Sequence, residues 1–257
     1  SMTKLRELAP GVMVTTSRRM LTNSVVLTGG ADALLIDPAW MPDELGALAA
    51  EIKHRGLGVI GGFATHAHHD HLLWHPGFGA APRWASEKTA NLALSERATL
   101  LNSLGHAFPE SLVDLMGRVR GVDTSIPRES VPEGFQIELI IHDGHAPGHT
   151  ALWLPEHRVL IAGDMLSDVE LPLPFFPDDI PAYLGALDRL APFVEQAEVV
   201  VPGHGNIGTD PLARLDADRR YLEDMIACGA SKDARVHNPG MLEAHAHMKM
   251  LVAPRAD

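Results

Sequence analysis

Between Thr65 and Leu72 the chain reads THAHHDHL, with four histidines and one aspartate in the six positions from His66 to His71. Neutral imidazoles and a carboxylate are the donors a divalent cation takes, while crowded titratable rings have little purely structural use. More such residues stand where other apolar runs end: His145 and His149 in GHAPGHT, Asp164 in AGD, and His204 in PGHG. Glycine at those ends permits a sharp turn and a close approach of backbone to a bound group. His66 and His68 lie two apart, so an extended segment points them to the same side. Asp70 and His71 fall on the turn beyond and are free to serve an adjacent ion. The donors are nitrogen and oxygen with no thiolate, which suits zinc, with iron, manganese or cobalt as alternatives.

The elements that must position these residues follow from hydropathy. Short β-rich runs occupy 11–17, 24–30 and 32–38, and a helix with Pro42 near its start and Gly56 past its end follows. The apolar strand 58–65 runs directly into the histidine cluster. Residues 86–120 have a helical pattern. Strands return at 135–143, 150–157, 158–164 and 198–205, the third and fourth separated by the helix AYLGALDRLAPF. Helices fill the C-terminal part, about 210–257. This order predicts an α/β chain in which two sheets pack face to face with helices outside.

Bulk properties narrow the function. The 257 residues carry a formal charge of −12, so a phosphate polymer is a poor partner. Arg118, Arg120 and Arg128 come nearest to a basic patch, and acids interrupt them. With the single cysteine Cys228 no intrachain disulfide forms. The absence of a leader-like start and of any apolar run near 18 residues predicts a cytoplasmic protein without a membrane span.

The arrangement resembles the metallo-β-lactamase superfamily. His-X-His-X-Asp-His is complete at 66–71, His149, Asp164 and His204 stand in the family's order, and Asp37 closes an early strand as in its first motif. The resemblance spans roughly residues 10 to 210. It implies a four-layer αββα sandwich forming a single domain over 1–257, with a helical insertion at about 72–134. It also implies two divalent ions: His66, His68 and His149 on the first, Asp70, His71 and His204 on the second, and Asp164 on both. One carboxylate can bridge ions about 3.5–4 Å apart. A metal-bridging hydroxide would be the nucleophile, with Asp70 and Asp164 as catalytic carboxylates. Asp37 would orient a ligand histidine. His69 is read as a non-ligand, and His142 and His145 as lining the pocket or facing solvent. His245 and His247 are read as surface residues, because positions two apart diverge on a helix.

Departures from family patterns limit the substrate. Many β-lactamases of this superfamily have cysteine where Asp164 stands. Glyoxalase II proteins share THAHHDH and PGHT but carry a glycine-arginine segment absent after Asp164. Lactonases often place a tyrosine where Ser167 stands. The reading that results is a dinuclear hydrolase of a small carbonyl ester, thioester or lactone. The alternatives are a phosphodiesterase or nuclease on the same site, and a metal-binding protein without catalysis. The loop LPLPFFP at 171–177 is assigned to covering the core, with an apolar substrate wall as the other possibility. Substrate choice is expected to reside in 72–134 and 165–181.

Overall fold

The computed structural model describes residues 4–254. Its first sheet has seven strands in chain order: β1 (Arg6–Ala9), β2 (Val12–Thr16), β3 (Asn23–Gly29), β4 (Asp32–Ile36), β5 (Gly58–Phe63), β6 (Arg83–Ser86) and β7 (Arg120–Val122). Neighbours are antiparallel up to β4 and parallel from β4 to β7. The second sheet is built from β8 (Glu138–His142), β9 (His149–Leu154), β10 (Val159–Gly163) and β11 (Val199–Pro202). Its order is β11-β10-β9-β8, with only β10 and β11 parallel.

Alternation along the strands explains the layering. In β4, Leu34 and Ile36 face the second sheet while Ala33 and Leu35 face the helix layer. In β10, Val159 and Ile161 meet the first sheet while Leu160 and Ala162 face the helices on the far side. A strand buried on both faces shows no polar alternation, which is why these segments read as unbroken apolar runs. The helices α1 (Pro42–His54), α2 (Glu87–Ser95), α3 (Arg97–Leu104) and α4 (Glu110–Val113) belong to the first sheet's outer side. On the other outer side lie α5 (Ile180–Gln196), α6 (Pro211–Cys228) and α7 (Met241–Val252). The chain is thus the expected αββα sandwich.

The expected C-terminal helices are α6 and α7, with 255–257 outside the described residues. The segment 72–134 differs from a purely helical insertion. Besides α2, α3 and α4 it supplies β6 and β7, which extend the first sheet in parallel. Surface placement of His245 is also corrected. It is buried and its Nδ1 lies 2.7 Å from the Tyr221 hydroxyl, while His247 faces outward to Asp178 at 2.9 Å. The two do diverge, but one of them points inward.

Tight packing between the sheets gives a simple expectation. Ile161→Val removes one methylene from the inter-sheet core and should cost about 0.5–1.5 kcal/mol without changing the slope of urea unfolding. No loss at all would mean that the two sheets are not packed against each other at this point.

Candidate metal centre

The sheets meet along one edge. The Asn23 N–H donates to the Gly203 carbonyl and the Thr150 N–H to the Thr65 carbonyl, each at 2.8 Å. These bonds bring the loops after β4, β5, β10 and β11 and the turn before β9 to one place. Gly203 is required there, because a methyl group on it would overlap the Asp164 carboxylate. Asp37 and His145 adopt left-handed backbone, at φ 49° and 68°, and both side chains enter the cluster. Strain of that kind in non-glycine residues persists where the surroundings enforce it, commonly at functional sites.

Asp37 is the anchor. Its Oδ1 accepts the Thr65 N–H at 2.8 Å, and its Oδ2 accepts the Thr65 hydroxyl at 2.6 Å and His71 Nδ1–H at 2.7 Å. Because the Thr65 hydroxyl donates to Asp37, it accepts from His66 Nδ1 at 2.8 Å. The Thr22 hydroxyl likewise donates to the Arg19 carbonyl and accepts from His204 Nδ1 at 2.9 Å. Each of these three imidazoles carries a proton on Nδ1 and turns Nε2 inward. Such outer partners fix the tautomer that a metal needs.

The inward atoms form two groups of four, beside a third set of Asp37, His66 and His71 in which the carboxylate is already taken by Thr65 and His71. Nitrogen and oxygen donors of His66, His68, His145 and Asp164 lie within 4.8 Å of one another, as do those of Asp70, His71, Asp164 and His204. Asp164 belongs to both. Its Oδ2 is 3.3 Å from His66 Nε2 and 3.4 Å from the Nε2 atoms of His145 and His204, while its Oδ1 is 3.1 Å from His71 Nε2. Asp70 Oδ2 stands 2.9 Å from His204 Nε2 and 3.2 Å from His71 Nε2.

His149 takes a different place. Its ring packs against His66 with centroids 4.8 Å apart, but its Nε2 accepts the Asp164 N–H at 3.0 Å. Its Nδ1 lies 3.3 Å from His142 Nε2. The donor group therefore contains His145 where the sequence reading puts His149. His142 and His145 are both buried beside the centre and do not face solvent, whereas His69 is half-buried against Trp40 outside both groups. Thr65, Thr22 and the role of His145 escaped the sequence reading. The GH that opens GHAPGHT was the available signal.

Electrostatics suit a cation. Burial lowers His66 to about 4 and His142 to about 3, and holds His68 and His149 well below the usual imidazole range, so these four rings are neutral at pH 7. Burial opposes charge on His71 and His204 too, but the surrounding aspartates outweigh it and raise both well above that range. Asp70 and Asp164 stay ionised despite burial, because His71 and His204 stabilise their charge. Two buried atoms at the centre, His66 Nε2 and Asp164 Oδ1, have no hydrogen-bond partner among the described residues. Buried lone pairs left unmatched beside carboxylates are costly unless a cation meets them, and these residues fit a divalent metal. Stripping metal with a chelator should therefore lower the melting temperature by about 5–10 °C, measured by scanning calorimetry. An unchanged transition would rule out a bound ion.

The mouth of the centre is partly apolar. Phe176, 53% exposed, meets His68 edge-on at 4.9 Å, and Met20, also 53% exposed, offers its carbonyl to His204 Nδ1 at 3.2 Å. The 171–177 loop covers the core as expected, and one of its residues also reaches the histidines. Leu171 and its neighbours pack on the core under α5 and α7, while Phe176 turns towards the histidines. The Ser167 hydroxyl donates to the His204 carbonyl at 2.6 Å. No helix among the described residues is long and apolar enough to cross a membrane.

Comparison with known proteins agrees with this geometry. The family model described as the metallo-beta-lactamase superfamily matches residues 18–204. The probable metallo-hydrolase YflN of Bacillus subtilis (strain 168) is 29% identical over 154 residues, 53% of this chain. That match spans 56% of the length of YflN. Among solved structures, a metallo-beta-lactamase from Pontibacter korlensis superposes with a TM-score of 0.65 at 24% identity, covering 86% of this chain and 99% of that one. A metallo-beta-lactamase family protein from Thermus thermophilus gives 0.64 at 22% identity, covering 86% and 82%. At such identity these two structures speak to the fold.

Proposed function

The chain belongs to the metallo-beta-lactamase superfamily, and on that basis we propose that it is a metal-dependent hydrolase that holds two divalent ions, zinc for this donor set, and cleaves a small carbonyl ester, thioester or lactone. The observation that carries this reading is the pair of buried four-residue donor groups sharing Asp164. Ions bound there would supply Lewis acidity, lowering the pKa of water and stabilising charge that develops on the substrate oxygen.

The chain's own residues do the rest. Asp37, Thr65 and Thr22 fix the tautomers of His71, His66 and His204. Asp164 holds the two halves of the centre together. Asp70 turns Oδ2 to His71 and His204, and we assign its other oxygen to proton transfer to the leaving group. Phe176 shields one side from water and favours an apolar acyl part over a charged one. The acidic chain, at −12, turns away phosphate polymers and leaves small molecules as the substrate class. One catalytic domain, acting in the cytoplasm, accounts for this reading.

Metal analysis of the purified protein, followed by a panel of esters, thioesters, lactones and bis(p-nitrophenyl) phosphate, tests it. About two ions per chain and turnover of a carbonyl substrate are the expected outcome. Faster hydrolysis of the phosphodiester would overturn the carbonyl assignment, and no turnover of any kind would leave a metal-binding protein without catalysis.

A further inference from the structure

On the helix-covered side of the first sheet lies a cleft of about 450 Å³, separate from the histidine centre. Arg83, Arg118 and Arg120 line it, and no carboxylate does. In a chain with 33 acidic and 21 basic residues, three arginines around one cavity without an acid run against the composition. The sequence hides the grouping, since Arg83 is remote from the other two and becomes their neighbour only through the parallel pairing of β6 with β7.

Arg83 is the telling member. It is buried, its guanidinium lies 4.9 Å over the Trp74 ring, and it donates to the carbonyls of Leu72 at 3.0 Å and Leu115 at 2.5 Å. Those two bonds leave three of its five N–H donors unclaimed. Among the described residues it has no ion pair. Burial, together with the like charges of Arg118 and Arg97, pushes it down to about 9. Buried charge is normally paired, and an unpaired guanidinium retains its cost until an anion arrives. Arg118 stands exposed at the rim with no carboxylate to hold, while Arg120 borders the cleft from the strand position paired with Trp84.

We propose that this cleft is a binding site for a small organic oxyanion carrying two or more negative charges, of the phosphate-ester class. The planar forks of Arg83 and Arg118 match phosphoryl oxygens, and Arg120 adds positive charge at the edge. A lone inorganic ion would leave most of the volume empty, whereas Pro82, Leu115 and Val119 give an organic part an apolar wall. The site is joined to the centre, because Arg83 holds the carbonyl of Leu72, the residue after His71.

Calorimetric titration of metal-loaded protein with phenylphosphonate, a dianion that is not hydrolysed, tests the proposal. Wild type should bind it, and the rim double variant Arg118→Ser with Arg120→Ser should bind about tenfold or more weakly while keeping its melting temperature. Asp164→Ala, which disables the metal centre, should keep most of the affinity. The proposal fails if the rim variant binds as wild type does, if Asp164→Ala abolishes binding, or if wild type shows none up to about 10 mM. Because the readout is binding away from the metals, its failure is independent of whether the chain hydrolyses an ester.

Discussion

Asp164→Ala should lower kcat/KM by about a thousandfold or more and leave less than the full metal complement bound. Four imidazoles converge on this carboxylate: His66, His145 and His204 at Oδ2 and His71 at Oδ1. Truncation removes the one donor common to both groups, and the four rings stay packed together without their shared negative charge. His66 and His71 have ring centroids only 4.1 Å apart, so any cation bound to one side then faces less compensation than before. Asp164→Asn keeps the shape but offers one acceptor oxygen in place of two, and should fall between wild type and alanine. Metal content by elemental analysis and turnover on the best panel substrate check both variants. Full metal occupancy with wild-type turnover in Asp164→Ala would remove the bridging role and the dinuclear reading with it.

Much of this centre was legible because its residues close strands that are buried on both faces. β4, β5, β10 and β11 read as apolar runs, and a histidine or aspartate beside glycine at the end of such a run has few other uses. What stayed hidden depends on geometry that periodicity does not encode. β6 and β7 have four and three residues, too short for an alternation to register, and each begins with an arginine that imitates a surface segment. His145 reaches the donor group through a left-handed backbone that no neighbouring residue type announces. The arginine cleft arises from strand pairing across the segment 72–134. His245 was legible only in part: helical spacing separates it from His247 but does not say which of them turns towards Tyr221.

The strongest expectation outside the donor groups concerns Asp37, which should touch no ion yet decide whether one binds. Its two oxygens accept three buried donors, the Thr65 N–H, the Thr65 hydroxyl and His71 Nδ1–H. Asp37→Ala strands all three. At about 1–3 kcal/mol for each buried donor left unmet, a stability loss of several kcal/mol is expected, together with a metal affinity lowered by about 10–100-fold. Asp37→Asn separates those effects. The amide nearly fills the same space and its oxygen keeps the Thr65 N–H, but the Thr65 hydroxyl loses its acceptor and must turn to accept from the new NH₂, so the stability loss should be smaller than in Asp37→Ala and not zero. Its NH₂ then faces His71 Nδ1 and donates where the carboxylate accepted. The imidazole proton moves to Nε2, the atom that must offer a lone pair beside Asp70 and Asp164. Asp37→Asn should therefore unfold at a higher denaturant concentration than Asp37→Ala yet lose affinity for an ion at the Asp70, His71 and His204 group. Denaturation paired with metal titration reads both quantities. If the asparagine variant binds metal as tightly as wild type, the carboxylate is not setting the tautomer of His71, and its place beside the centre is structural only.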